Sequence, residues 1–415
     1  MGKFVIDKTV DVEDNPFDRH SRISWWSQEK VSNAKVMVVG AGAIGNETLK
    51  NLALLGVGNI FIVDFDEIST SNLSRTVLFR KADKGKQKAR VAAERTKELC
   101  LTDNVNIDWF HGDIVWELGT GVYREMDIVL GCLDNVETRF HVNRQCWLTG
   151  TPWIDSGIYE LGLHVNVFTP PTPPCYQCSA SNEQLIAIRQ RYSCDNFKRS
   201  MLNEGKMPTV QVASAIASAI QVQEAMKLIC GQPVTVGGKI YYQGKINDFE
   251  IIKLSENSAC SAHKLSYPEI TAIPLSSSVS LVEFLKCISQ NEYSGIEAVL
   301  DFGGDRDFVV SATCRFCGEP IEFLKPSFQI YDIETVCQNC VEKGITWEDV
   351  NAERETEKRT LSEFSLQKTE SKILSMSLND LGVPLLHIVA VRDKDGHYRY
   401  YQLSGDRNRV FPNIA

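Results

Sequence analysis

VMVVGAGAIGNETLKNLALLGVGNIFIVDFDEISTSNLSRTVLFRKADKGKQK, residues Val36–Lys88, holds three features in order: a glycine loop, an acidic strand end, and a run of polar and basic residues. Lys35–Val39 is a short apolar run ending in glycine, the pattern of a buried parallel strand. Gly40-Ala-Gly42-Ala43-Ile-Gly45 follows it and opens a helical stretch reaching Leu55. Glycines there let backbone N–H groups approach a phosphate, and the helix N-terminus adds partial positive charge. Asn59–Val63 reads as the next strand, and Asp64 stands at its end, 19 residues past Gly45. A carboxylate at that place binds ribose hydroxyls. A nucleotide is expected, but the glycine fingerprint alone does not separate ATP from NAD.

The residues after Asp64 discriminate. Asn72, Arg75, Lys86 and Lys88 crowd into the segment directly after the second strand. A dinucleotide needs a second mononucleotide half here, not a cluster of phosphate-binding cations. Singly, each lysine or arginine reads as a solvated surface charge. In the order Asp-x-Asp, Ser-Asn-Leu-x-Arg, Leu-Phe-Arg, Asp-x-Gly-Lys-x-Lys-Ala they point to ATP.

Working outward, strand and helix alternate. Lys84–Leu99 reads as a charged helix, Met126–Gly131 as a third buried strand, and Asn135–Leu148 as a helix. Strands follow at Trp153–Ser156 and Leu163–Thr169. This order predicts an α/β fold, a Rossmann-like open, mostly parallel sheet with right-handed crossovers. From Pro170 the chain becomes a proline-rich loop with Cys175 and Cys178, then a polar segment, Glu183–Met207, carrying Cys194. Pro208 precedes a long helix of small residues, and two short strands, Lys239–Gln243 and Phe249–Lys253, lead to Cys260 and His263. We expect three parts: an N-terminal arm with helices (1–34), a nucleotide-binding domain (35–272), and a smaller C-terminal α+β domain (273–415). In the last, Asn351–Lys372 reads as a charged helical stretch, and Leu385–Leu403 as a hairpin around Asp-Lys-Asp-Gly.

The ordered motifs from Phe17 to His263 resemble the ubiquitin-activating-enzyme-like adenylyltransferases, the MoeB/ThiF family. The resemblance implies that Gly40–Gly45 hold ATP phosphates, that Asp64 binds ribose with Asp66 nearby, and that Asn72, Arg75 and Lys88 bind the triphosphate. It further implies that Asp134, in Cys-Leu-Asp-Asn, positions Mg²⁺. Arg22, from Arg19-His20-Ser-Arg22, is similar to the arginine such enzymes supply across a homodimer interface; the family more often has Tyr or Phe in place of His20. The chemistry suits these residues on its own terms. A carboxylate attacking the α-phosphate brings negative charge toward negative charge, which cations must neutralise along with the leaving pyrophosphate. In the family the acyl adenylate passes to a thiol or persulfide. Cys194 lies where related enzymes place their nucleophile, with Arg191, Lys198 and Arg199 nearby to favour the thiolate.

The chain has 13 cysteines among 415 residues. Six form Cys-x-x-Cys pairs, a pattern that in a reducing compartment points to metal rather than disulfides. Cys175 and Cys178 find partners in Cys260-x-x-His263, where the family usually has a second cysteine pair. Cys314/Cys317 and Cys337/Cys340 are separated by 19 residues, zinc-ribbon spacing. Two structural Zn²⁺ sites are expected. Cys100, Cys132, Cys146, Cys230 and Cys287 sit in apolar strand or helix patterns and read as core packing. The ribbon region reads as a surface for a protein partner.

Formal net charge is −9, which argues against nucleic acid or an anionic membrane as partner. The first residues lack a hydrophobic signal core and no apolar run is long enough to span a bilayer, so a cytoplasmic setting is expected. Three functional readings stand. One is an activating enzyme that adenylates the C-terminal glycine of a ubiquitin-like protein, holds it as a thioester on Cys194 and hands it to a conjugating enzyme. The second is an adenylyltransferase for a sulfur-carrier protein. The third is an inactive scaffold subunit.

Overall fold

The computed structural model describes residues 15–180, 209–264, 266–291, 298–303, 306–314, 316–330, 334, 337–343, 357–393 and 395–414. Two short helices, α1 (Asp18–Ser21) and α2 (Gln28–Asn33), precede β1 (Lys35–Val39). Then follow α3 (Ala43–Leu55), β2 (Asn59–Val63), α4 (Lys88–Leu99), β3 (Asn106–Phe110), α5 (Thr120–Arg124), β4 (Ile128–Gly131) and α6 (Val136–Thr149). β5 (Trp153–Tyr159) and β6 (Gly162–Phe168) lead to the long helix α7 (Gln211–Ile229) and the hairpin β7 (Gly238–Gln243) and β8 (Asp248–Lys253). These strands form one eight-stranded sheet, ordered β3-β2-β1-β4-β5-β6-β7-β8. The β3–β2, β2–β1, β1–β4 and β4–β5 pairs are parallel and the rest antiparallel.

The parallel strands are apolar because both faces are covered. Val36, Val38, Ile60 and Ile62 pack with α3, α4 and α7, where Leu49, Ala92, Ala217 and Ala225 are buried. Their neighbours Met37, Val39, Phe61 and Val63 face the other way, onto residues of α5 and α6. The strand order reverses between β1 and β4, and the carboxyl ends flanking that switch carry the loops of interest.

A second sheet, ordered β14-β10-β15-β16-β9, is built from β9 (Ile270–Ile273), β10 (Val299–Asp301), β14 (Glu363–Phe364), β15 (Ile388–Arg392) and β16 (Tyr398–Leu403), and α8 (Leu281–Asn291) covers its core. The smallest sheet joins β11 (Phe308–Thr313), β12 (Pro320–Pro326) and β13 (Glu357–Leu361). The two halves of the chain are sewn together. Leu386, Val410, Phe411 and Ile414 belong to the core under the first sheet. Asp108 of β3 accepts hydrogen bonds from the backbone N–H groups of Asn413 and Ile414 and from the Asn413 side chain.

Three expectations need correction. The strand at Ile128–Gly131 is the fourth; Asn-Ile-Asp-Trp-Phe at Asn106–Phe110 escaped notice because an edge strand is only half covered and carries polar residues. The helix expected from Lys84 starts at Lys88, since Lys86 is drawn into pairing with Ile68, whose N–H bonds the Lys86 carbonyl at 2.8 Å. The helical stretch expected over Asn351–Lys372 is not one helix. Glu357–Leu361 is a strand bonded to β11, residues 351–356 lie outside the described residues, and among the described residues of this stretch helix is confined to Ser371–Leu374. Strand pairing outweighed the weak helical preference of Glu, Lys and Arg.

Candidate active site and two cysteine clusters

The glycine loop joins β1 to α3. Gly40 has φ +97°, and a Cβ there would stand 2.5 Å from the Cys132 carbonyl oxygen. A Cβ at Gly45 would come within 1.9 Å of the Gly40 carbonyl oxygen, so only glycine lets the helix turn back this tightly. Gly42, by contrast, faces open space, and no side chain caps the helix that starts after it. The first N–H groups of a helix lack intrahelical partners. An open glycine at an uncapped N-terminus fits an anionic ligand such as a nucleotide phosphate.

The loop is held rigidly from both sides. Asp64 accepts the Ala41 N–H at 2.7 Å through one carboxylate oxygen and the Asp66 N–H at 2.8 Å through the other. Burial pushes the Asp64 carboxyl above its usual range, against the pull of nearby Lys88. Asn46, fully buried, donates to the carbonyls of Ala41 (2.7 Å) and Gly42 (3.0 Å) and accepts the Leu78 N–H at 2.9 Å. Asn46 was missed by the sequence reading. Its signal was an amide inside an otherwise apolar helix face.

Lys88 begins α4, is nearly buried, and pairs with Asp66 at 2.6 Å. Asn72 closes a 3₁₀ turn (Thr70–Asn72) and accepts the Ser69 N–H, while the Arg75 guanidinium donates to the Ser71 carbonyl at 2.7 Å. Ala43 is the first residue of α3. Asp134 is exposed, just past β4. The loop, Asp64, Asp66 and Asp134 therefore stand at the carboxyl ends of β1, β2 and β4 or in the loops beyond, and Lys88 joins them from the start of α4 through its pair with Asp66.

Arg22 is elsewhere. It follows α1 and pairs with Asp18 at 2.8 Å. Phe17 and Gln28 flank it in sequence, and both press on Gly56 at the far end of α3. Thirteen helical residues put that end about 20 Å from the glycine loop. Cys194 lies outside the described residues. Cys132 is buried and bonded to Thr48 and Gln221, and burial pushes its thiol up to about 12, which suits packing rather than attack.

The cysteine pairs do come together. In the first group, Cys175 Sγ lies 3.8 Å from Cys178 Sγ and 3.7 Å from Cys260 Sγ, and Cys178 Sγ lies 3.3 Å from His263 Nδ1. In the second, Cys314–Cys340 and Cys317–Cys337 stand at 3.7 Å and 3.6 Å. In each group the four ligand atoms lie within 4.8 Å of one another. A tetrahedral ion with bonds of ~2.3 Å sets sulfur–sulfur spacings near ~3.8 Å, whereas a disulfide needs ~2.05 Å. Both groups fit a tetrahedral metal ion.

Comparison with known proteins agrees with this architecture. SUMO-activating enzyme subunit 2 of Dictyostelium discoideum is 39% identical over 166 residues, 40% of this chain and 24% of that protein. The chain thus spans about a quarter of that relative's length. Sulfur carrier protein ThiS adenylyltransferase of Escherichia coli K12 is 27% identical over 256 residues, covering 60% of this chain and 96% of that protein. The crystal structure of E. coli MccB with selenomethionine MccA superimposes with TM-score 0.51 at 22% identity, over 61% of this chain and 75% of that one, a likeness of fold. No helix among the described residues is long and apolar enough to cross a membrane. The model of the ThiF family matches residues 17–262, from the first helix to the first cysteine cluster, and the chain belongs to that family.

Proposed function

We propose that this protein is an ATP-dependent adenylyltransferase that activates the C-terminal glycine of a ubiquitin-like protein, then holds it as a thioester on Cys194 for handover to a conjugating enzyme. The observation that carries the adenylation step is the open glycine loop at the carboxyl end of β1, held by Asp64 and Asn46 and neighboured by Lys88 and Asp134. Membership of the ThiF family supports it, as do relatives named for SUMO activation and for sulfur-carrier adenylation.

In this reading the N–H groups at Gly40, Gly42, Ala43 and Gly45 receive ATP phosphates, and Asp64, with Asp66 beside it, faces the ribose. Asn72, Arg75 and Lys88 neutralise the triphosphate. Asp134 would hold Mg²⁺, which would add charge neutralisation for the departing pyrophosphate. A carboxylate oxygen of the substrate attacks the α-phosphorus, the bond to the bridging oxygen breaks, and pyrophosphate leaves. The Cys194 thiolate then attacks the acyl carbon and AMP departs. Arg22, whose neighbours Phe17 and Gln28 pack at the opposite end of α3, would reach these phosphates from a second copy, and the proposed assembly is a homodimer. Zn²⁺ is the proposed occupant of both cysteine clusters, with a structural role. The C-terminal region, 273–415, is proposed to recognise a protein partner, and free thiols at this density support a reducing, cytoplasmic setting.

Incubation with ATP and a panel of ubiquitin-fold proteins, followed by non-reducing gels, tests the reading. A thiol-sensitive adduct and substrate-dependent pyrophosphate exchange are expected. Cys194→Ala should abolish the adduct and leave exchange intact; an adduct that survives in this variant refutes the assignment of Cys194. Failure of the wild type to bind ATP refutes the whole reading and favours a scaffold. The second reading is sulfur-carrier activation, favoured by the near-complete coverage of the ThiS adenylyltransferase relative. A thiocarboxylate found on the carrier by mass spectrometry selects it.

A further inference from the structure

We infer that Arg139 is a positioning residue for Asp134, clamping the turn that presents this carboxylate to the nucleotide. The inference rests on the proposed role of Asp134 as the residue beside Mg²⁺, and its test separates the two.

The turn after β4 is fixed from both layers of the domain. Its Cys132 N–H bonds the Val39 carbonyl at 2.8 Å. From α7, the Gln221 amide donates to the Gly131 carbonyl at 3.0 Å and to the Ile154 carbonyl at 2.9 Å. From α6, on the opposite face, Arg139 donates to the Leu133 carbonyl at 2.6 Å, the peptide immediately before Asp134. The same guanidinium donates to Asp155 at 2.8 Å and to the Ser156 carbonyl at 3.2 Å. Asp155 has no exposure at all, and Asn166 donates to its other oxygen at 3.3 Å, with His164 at 3.6 Å.

A buried ion pair is weak evidence of a stability role, because well-packed apolar residues often serve as well. An apolar pair, however, cannot donate to the Leu133 carbonyl. Arginine can do both, because its planar fork offers several N–H groups at fixed angles. Asp155 sets the fork and the fork holds the turn. The Asp134 charge also favours the charged guanidinium, and the Tyr176 side chain hydrogen-bonds Arg139. Tyr176 neighbours Cys175, and its N–H bonds the Asn143 side chain at 3.0 Å. The clamp therefore connects the Asp134 turn to the first cysteine cluster.

The test is ATP binding by calorimetry with the full-length protein, in excess EDTA and at graded free Mg²⁺, with Mn²⁺ electron paramagnetic resonance as a second readout. Asp134→Asn calibrates the complete loss of the metal-dependent gain. Arg139→Lys keeps a positive charge beside Asp155 but cannot span Asp155 and the Leu133 carbonyl together. Its ATP affinity without metal should match the wild type. Its apparent affinity for Mg²⁺ should fall about tenfold, the scale seen when a residue supporting a metal ligand is lost, with a broadened Mn²⁺ signal. Asp155→Asn should shift the Mg²⁺ dependence in the same direction, and this second variant decides the matter should Arg139→Lys fail to fold. Wild-type Mg²⁺ dependence in the folded variants overturns the inference. Wild-type ATP affinity that ignores Mg²⁺ overturns the role of Asp134, and the inference with it.

Discussion

Replacing Asn46 with alanine tests whether the glycine loop depends on one buried amide. Asn46 is inaccessible to solvent, and its amide joins the carbonyls of Ala41 and Gly42 to the N–H of Leu78. In Asn46→Ala the Gly42 carbonyl keeps the helical bond from the residue 46 N–H. The Ala41 carbonyl and the Leu78 N–H lose the partner that Asn46 provides. Leaving a buried polar group unsatisfied costs about 1–3 kcal/mol, so the two together predict about 3 kcal/mol of lost stability. ATP should bind about tenfold more weakly, because the loop must be ordered when the phosphates arrive rather than beforehand. Urea unfolding followed by circular dichroism, with calorimetry for ATP, measures both. Asn46→Asp sharpens the test. Its carboxylate still accepts from Leu78, but the second oxygen faces the Ala41 carbonyl oxygen without a proton between them. Its folded-state pKa must therefore lie above the unfolded value near ~3.9. The penalty is present at neutral pH and shrinks as pH falls through the raised value and the carboxyl gains a proton to donate. Stability of Asn46→Ala within 1 kcal/mol of the wild type, or an Asn46→Asp penalty unchanged from pH 7 to 5, refutes the reasoning.

Two further outcomes follow from the rest of the molecule. His141 of α6 has a buried Nε2 without a hydrogen-bond partner among the described residues; removal from water, then the fields of Arg306 and Arg144, hold its imidazole down at about 3. A group whose folded pKa is depressed costs stability as pH falls below the unfolded value near ~6.5, at about 1.4 kcal/mol per pH unit; His141→Gln should flatten the pH dependence of unfolding by that slope between pH 5.5 and 4.5, and an unchanged slope refutes it. Metal analysis should find two zinc ions per chain and one in Cys175→Ser, with a lowered melting midpoint because metal binding there is part of folding; two ions retained in the variant would exclude the first cluster as a metal site.

Sequence alone determined the nucleotide-binding half in outline, because its signals are local. Gly40 and Gly45 are needed by a backbone that no other residue fits, and Asp64 stands at the end of an apolar strand whose period is plain. The Cys-x-x-Cys spacings likewise carry their own chemistry, including the partnership of Cys175 and Cys178 with Cys260 and His263; what tertiary structure added was the spacing of the ligand atoms across more than eighty residues. Tertiary structure alone decided what depends on distant partners. Glu357–Leu361 became a strand because β11 offers it a ladder, against the preference of its own residues. Asn46 gained its distant partner in the Leu78 N–H, and Gln221 and Arg139 theirs in carbonyls on other elements; a buried polar side chain does not reveal in sequence which backbone group it will satisfy. Arg22 shows the difference most clearly. Its motif suggested a phosphate ligand, but only the packing of its neighbours Phe17 and Gln28 at the end of α3 showed that this segment docks about 20 Å of helix away from the glycine loop. Local chemistry is written in adjacent residues, whereas the direction in which a side chain finally points is set by the packing of the whole chain.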